Sequence, residues 1–396
     1  MSTAEELDAI GIDRLRENGS LKWSAFPEAI GAFVAEMDFP AAPAVDAAIR
    51  DALDRGLTGY LPAAVRDRMA DAVARWQRDR YGWEVPAERI RPVPDVLTAL
   101  RTTIDFFTAP GSKIVLPTPA YMPFLTIPAM HDREIIEVPM LVDGGRAVYD
   151  LDGIDRALAD GGGLLILCNP YNPLGRVFER AELEAVSAVV ERHGARVFSD
   201  EIHAPLVFAP HRHVPYASTG PAAAAHTITA VSASKAWNLP GLKAAQVILT
   251  NDADAETWAR PEVAWAEHGT ANLGVVATTA AFDEGRGWLA ETLDYLDGNR
   301  RVLGELLAAH IPAMGYRAPE GTYIAWLDAR ALGIEGSPAE FFREHAGVAM
   351  TDGLACGPAG EGHLRFILAT PRPIIEQAVR QMADALREQA MRSRSV

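Results

Sequence analysis

The sequence predicts an α/β protein, with a large domain built on a mostly parallel sheet and a smaller α+β domain after it. Three observations predict this. Short apolar runs alternate with longer helical patterns from about residue 90 to residue 280, as strands alternate with helices in such a layer. Beyond residue 281 the pattern changes to one long amphipathic stretch, two strand-like runs and two further helical stretches. At 396 residues the chain is also too long for one small core.

In chain order, the first twenty residues, MSTAEELDAIGIDRLRENGS, are acidic and helix-like. They lack the basic start and apolar core of a signal peptide. Residues 1–45 read as an N-terminal arm and part of the small domain, because MDFPAAPAV is Pro-rich and carries no periodic core pattern. Residues 46–285 form the large domain, with strands expected at Lys113–Leu116, Gly163–Leu167, Ala195–Phe198, Thr227–Val231 and Ala245–Leu249. Between them, Glu179–His193 opens on charge and stops at Gly194, as a helix does. Residues 286–396 form the small domain: Gly287–His310, strand-like GTYIAWLD, a helix from Pro338, strand-like HLRFIL and a terminal helix.

A net charge of −16 argues against nucleic acid or an anionic membrane as partner. No apolar run approaches the ~18 residues that span a bilayer. Cys168 and Cys356 have no metal-ligand spacing, so a reduced cytoplasmic protein without disulfide or metal is expected.

The chain has only four lysines, Lys22, Lys113, Lys235 and Lys243, and two of them lie in the single stretch SASKAWNLPGLK. Arginine stays charged, whereas lysine can lose its proton and act as an amine nucleophile. Three successive expected strands run into polar sets, CNPYNPLGR, SDEIH and SASK. Ligands of open α/β sheets gather at such carboxyl ends. Each set alone is commonplace; together they place an Asn-rich turn, an acid and a lysine at one crevice. Ser232 and Lys235 have S-x-x-K spacing, but the S-D-N and K-T-G partners of that motif are missing. No phosphate-loop pattern is present either. His211-Arg212-His213 reads as a surface loop, not a metal site.

SASKAWNLPGLK, NPYNPLGR and SDEIH together resemble the fold-type I pyridoxal-phosphate enzymes of aminotransferase class I/II. LKWSAFPEAIGAFVAEMDFPAAPAV, TPAYMPF, PEGTYIAWLD and LRFILATPR extend the likeness to the cystathionine β-lyase-like C–S lyases. The resemblance implies an aminotransferase-like fold and pyridoxal 5'-phosphate as cofactor, with Lys235 as its Schiff-base lysine and proton-transfer group. It implies Asp200 opposite the ring nitrogen, Asn172 and His203 at the phenolate oxygen, and Tyr121 stacked on the ring. For the phosphate it implies Ser232, Ser234, Lys243 and the backbone N–H groups of Asp95, Val96 and Leu97 at a helix start. Tyr60 would reach the phosphate of the neighbouring subunit, so a homodimer with shared sites is implied. Arg365 would hold the carboxylate of a small amino-acid substrate through a bidentate fork.

The implied reaction is C–S β-elimination, from cystathionine or a cysteine S-conjugate to thiol, pyruvate and ammonia. Transamination, and decarboxylation coupled to oxidative deamination of a conjugate from specialised metabolism, are the alternatives. Phe33 stands where relatives often have tryptophan, and Glu36 where aspartate is usual. Ile367 replaces an asparagine, and Cys356 and His363 replace phenylalanines. All five are expected around the substrate, with Phe33 and Glu36 contacting it, which favours a bulkier conjugate over cystathionine.

Overall fold

The computed structural model describes residues 4–393. Seven strands form its main sheet: β1 (Ile90–Val93), β2 (Lys113–Thr118), β3 (Ile135–Pro139), β4 (Gly162–Cys168), β5 (Arg196–Asp200), β6 (Thr227–Val231) and β7 (Ala245–Leu249). Their spatial order is β1-β7-β6-β5-β4-β2-β3. Only β7 runs against its neighbours, pairing antiparallel with β1 and β6; the other pairs are parallel. Residues 164–167 of β4, Leu-Leu-Ile-Leu, are all buried, as a parallel strand covered by helices on both faces requires.

The five expected strands are present. Two edge strands were not expected, for a physical reason. β1 is four residues with a central proline, IRPV, and β3 is half-exposed, IIEVP, so neither shows the continuous apolar run of an inner strand. Helix Arg180–His193 begins with a reciprocal cap between Glu179 and Glu182 and ends at Gly194, whose φ of +61° suits glycine.

The C-terminal unit holds an antiparallel sheet of β8 (Gly315–Tyr316), β9 (Ile324–Asp328), β10 (Thr351–Asp352) and β11 (His363–Ile367), in the order β8-β9-β11-β10. Helices Arg286–His310 and Arg372–Ser393 pack together beside it. The N-terminal arm joins this unit: Ile30–Gly31 pairs in parallel with Val348–Ala349, and Ile367 N–H donates to Ala32 O at 3.0 Å. Among the described residues no helix is long and apolar enough to cross a membrane.

Candidate active site

Strand register brings the polar sets together. Cys168 at the end of β4 lies opposite Asp200 at the end of β5, which lies opposite Ala230 on β6. Asn172 and Lys235 follow in the loops after β4 and β6, and Tyr121 caps the helix that follows β2. All these loops leave the sheet at its carboxyl end, as the sequence led us to expect.

Asp200 is 2% exposed and takes one backbone hydrogen bond, from Ile202 N at 3.0 Å to Oδ1. Its Oδ2 accepts no donor from the described residues. Burial pushes its carboxyl up to about 7, against the partial opposition of Ile202 N–H and Lys235. A buried carboxylate with one oxygen free of protein donors suits a positively charged partner. Because the folded pKa is raised, folded chains bind more protons than unfolded ones between about 4 and 7, and stability falls as pH rises through that window. Asp200→Asn removes the titration. The ligand-free variant should melt about 3 °C above the wild type at pH 8 and match it near pH 4; scanning calorimetry showing no gain at pH 8 contradicts this.

His203 is also buried, and burial lowers its pKa to about 3, so the imidazole is neutral. Its Nδ1 is buried with no hydrogen-bond partner. Asn172 Oδ1 accepts from Arg365 Nη1 at 3.3 Å, which leaves the amide NH₂ to donate elsewhere. An unpartnered imidazole nitrogen and an amide with free N–H groups are the kinds of group that meet a ligand oxygen. Tyr121 packs edge-on against Phe124, with ring centroids 5.3 Å apart, and burial raises its phenol pKa.

Burial lowers the Lys235 amine to about 8, with Arg365 adding to the effect and Asp200 and Glu36 opposing it. A neutral amine is thus accessible near physiological pH, as proton transfer needs. Its Nζ donates to Ala35 O at 2.8 Å, and Tyr323 Oη donates to the same oxygen at 3.0 Å. Arg365 is 3% exposed; its Nη2 donates to Phe33 O at 2.9 Å and to Thr351 Oγ1 at 3.3 Å. Its Nε is buried without a partner. A buried guanidinium with no carboxylate among its hydrogen-bond partners and one orphaned N–H suits an incoming carboxylate.

Asp95 caps helix Val96–Phe106, accepting from Thr98 N at 2.8 Å. The Val96 and Leu97 N–H groups belong to the first turn, which has no intrahelical acceptors. Lys243, in a left-handed conformation with φ +49°, pairs with the Asp95 carboxylate beside that turn. Ser234 is part-exposed nearby in sequence, whereas the buried Ser232 hydroxyl donates to Ala244 O at 2.8 Å and accepts from Ser234 N at 3.0 Å. Ser232 Oγ thus spends its proton on shaping the loop, and faces Ser234 as an acceptor. Tyr60 is 98% exposed, at the rim of a recess of about 700 Å³ that runs past Gly241 and Leu242.

Several groups escaped the sequence reading. Thr351 lies on the site through contacts that no motif announces, and Tyr323, inside PEGTYIAWLD, was assigned no role there. His213 is not a surface residue: it is buried, with Nε2 2.8 Å from Glu201 Oε2. The polar look of His-Arg-His hid it, and the cue was the acid directly after Asp200. Of the departures, Phe33 meets the site through its carbonyl, and Glu36 Oε1 accepts from Lys22 N at 3.2 Å. Cys356 gives its carbonyl to Ala120 N at 2.8 Å, behind Tyr121. His363 stacks on Trp326, with centroids 5.1 Å apart, two strand positions from Arg365.

A buried acid opposite a softened lysine, a neutral histidine and an anion cradle at a helix start define an enzyme of the pyridoxal-phosphate type on an aminotransferase fold. The chain belongs to the aminotransferase class I and II family, whose model matches residues 33–382. Within it, the chain is similar to cystathionine beta-lyases. It is 36% identical to that of Corynebacterium glutamicum, over 95% of this chain and 99% of that one. It is 32% identical to the cystathionine beta-lyase PatB of Bacillus subtilis, over 93% and 96%. The solved structure of cystalysin from Treponema denticola, which contains a pyridoxal 5'-phosphate cofactor, superposes with a TM-score of 0.89 at 28% identity, covering 94% of this chain and 97% of that one.

Proposed function

We propose that this protein is a pyridoxal-phosphate-dependent C–S β-lyase that converts cystathionine or a cysteine S-conjugate to thiol, pyruvate and ammonia. One observation carries the reading: Lys235 and Arg365 reach alternate carbonyls of one short segment, Ala35 O and Phe33 O. An amine able to exchange protons and a fork for carboxylate therefore flank one crevice.

Lys235, Asp200, Asn172, His203, Tyr121, Ser234, Lys243 and the helix start at Asp95–Leu97 would hold the cofactor, with Ser232 shaping the loop. When bound, the cofactor supplies an electron sink for the pair left at the substrate α-carbon. Asp200 would favour positive charge on the cofactor's ring nitrogen. Arg365 holds the substrate carboxylate and so fixes which bond at the α-carbon faces Lys235. Lys235, neutral, takes the α-proton; a thiolate on the β-carbon then leaves. Cystathionine and bulkier conjugates share this chemistry.

The test is product analysis of the holoenzyme with a panel of cysteine S-conjugates and no keto-acid acceptor. Equal thiol, pyruvate and ammonia without carbon dioxide is the expected result. Turnover that starts only on adding an acceptor would make the protein an aminotransferase, and carbon dioxide release would show a different bond breaking.

The exposure of Tyr60 supports a homodimer in which this tyrosine completes the partner's phosphate site. Lys235→Ala and Tyr60→Ala homodimers should each be impaired. Mixed dimers should regain activity, because one site then has both residues; no recovery on mixing after denaturation and refolding contradicts a site shared this way.

A further inference from the structure

We infer that Asn238 and the buried Lys22–Asp38 pair are positioning residues, which hold residues 33–38 as a strap across the site and thereby orient Arg365 and Lys235. The inference rests on the lyase reading only for what the strap accomplishes, not for its existence.

Lys22 is fully buried, and its ammonium donates to Asp38 Oδ2 at 2.8 Å and to the carbonyls of Glu36 and Ala369, both at 3.4 Å. Three acceptors around a compact point charge suit lysine, not the planar fork of arginine. This accounts for a third lysine in a chain whose cations are otherwise mostly arginine. Trp23 Nε1 donates to the other Asp38 oxygen at 2.7 Å, so this carboxylate is fully engaged. Asp38 N–H donates to Ala369 O at 2.9 Å, fixing that end of the strap to the segment after β11.

Asn238 fixes it from the opposite side. It adopts φ +58°, a left-handed conformation that costs most residues energy and that Asn and Gly tolerate. There its side chain accepts from Met37 N and donates to Met37 O, each at 2.9 Å. Asn238 lies three residues past Lys235, so the loop that carries the amine also grips the strap. Tyr323 adds a third tie through Ala35 O at 3.0 Å.

Between these ties the strap touches both functional cations. Phe33 O accepts from Arg365 Nη2 at 2.9 Å and from Thr351 Oγ1 at 3.2 Å, which turns the guanidinium so that its unpartnered Nε is left for a ligand. Ala35 O holds the Lys235 amine. The strap therefore acts on carboxylate recognition through Arg365.

Asn238→Gly is the decisive variant, because glycine keeps the left-handed backbone and removes both strap hydrogen bonds. In the ligand-free protein, hydrogen exchange of the Met37 and Asp38 amides should quicken by about ten-fold or more, while the amides of β4 and β5 stay unchanged. In the holoenzyme the KM for a cysteine S-conjugate should rise about ten-fold, with kcat within about three-fold. Tyr323→Phe, which removes one hydroxyl and little volume, should shift KM in the same direction by less. Wild-type exchange at Met37 and Asp38 in Asn238→Gly overturns the strap, whatever the activity. A fall in kcat with KM unchanged overturns its role in orienting Arg365. Faster exchange in a protein whose wild type releases no thiol from any conjugate supports the strap and refutes the lyase reading alone.

Discussion

Lys235→Ala will lower thiol release from a cysteine S-conjugate by about four orders of magnitude, the upper range for losing a positioned proton-transfer group. The residue has two roles that alanine cannot share. Its amine would hold the cofactor, and burial together with Arg365 makes its proton available near pH 8. Lys235→Arg should be equally inactive, since a guanidinium does not deprotonate in this range. Added small primary amines should restore part of the rate to the alanine variant but not to the arginine variant. Stopped assays of pyruvate and ammonia, with cofactor binding followed by absorbance, check both points. An alanine variant within ten-fold of wild type would assign the proton transfer to another group.

Arg365→Ala will reduce kcat/KM by about 10²–10³-fold, mostly through KM, because a bidentate charge-assisted contact to the substrate carboxylate is lost. Arg365→Lys should recover little of it. Lysine offers a point charge, whereas the present side chain is held in plane by Phe33 O, Thr351 Oγ1 and Asn172 Oδ1. The carboxylate anchor also decides which bond faces Lys235. The products of Arg365→Ala should therefore include carbon dioxide at a larger share than in wild type. Full-chain assays with a conjugate that carries ¹⁴C in its carboxylate measure rate and bond choice together. A variant with an unchanged KM would place carboxylate recognition elsewhere.

The inner sheet was legible because strands buried on both faces leave continuous apolar runs; Thr227–Val231 and Ala245–Leu249 match their expected limits to the residue. β1 and β3 were not, since edge strands are relieved of that demand. Lys235 stood out because the composition is poor in lysine, and Asp200 because it ends a strand. The ties that set their geometry left no such trace. Asn238, Thr351 and Tyr323 act through hydrogen bonds to backbone groups of residues 33–37, which depend on where the chain returns in space and not on side-chain pattern. The same blindness made His213 look superficial.

The strap's anchorage has a consequence for how the protein is made. Lys22 reaches a carbonyl 347 residues further along the chain, at Ala369. At roughly 5–20 residues per second, that acceptor emerges from the ribosome on the order of 20–70 s after the lysine. Until then β1 to β7 can assemble and Asn238 can grip Met37, but the Lys22–Asp38 end of the arm lacks its anchor at Ala369. Trp23 and Phe39, both buried in the finished protein, spend that interval without all of their final neighbours. The nascent enzyme therefore has its cofactor loops before it has its substrate side, and its window for capture by chaperones closes only when the last strand arrives.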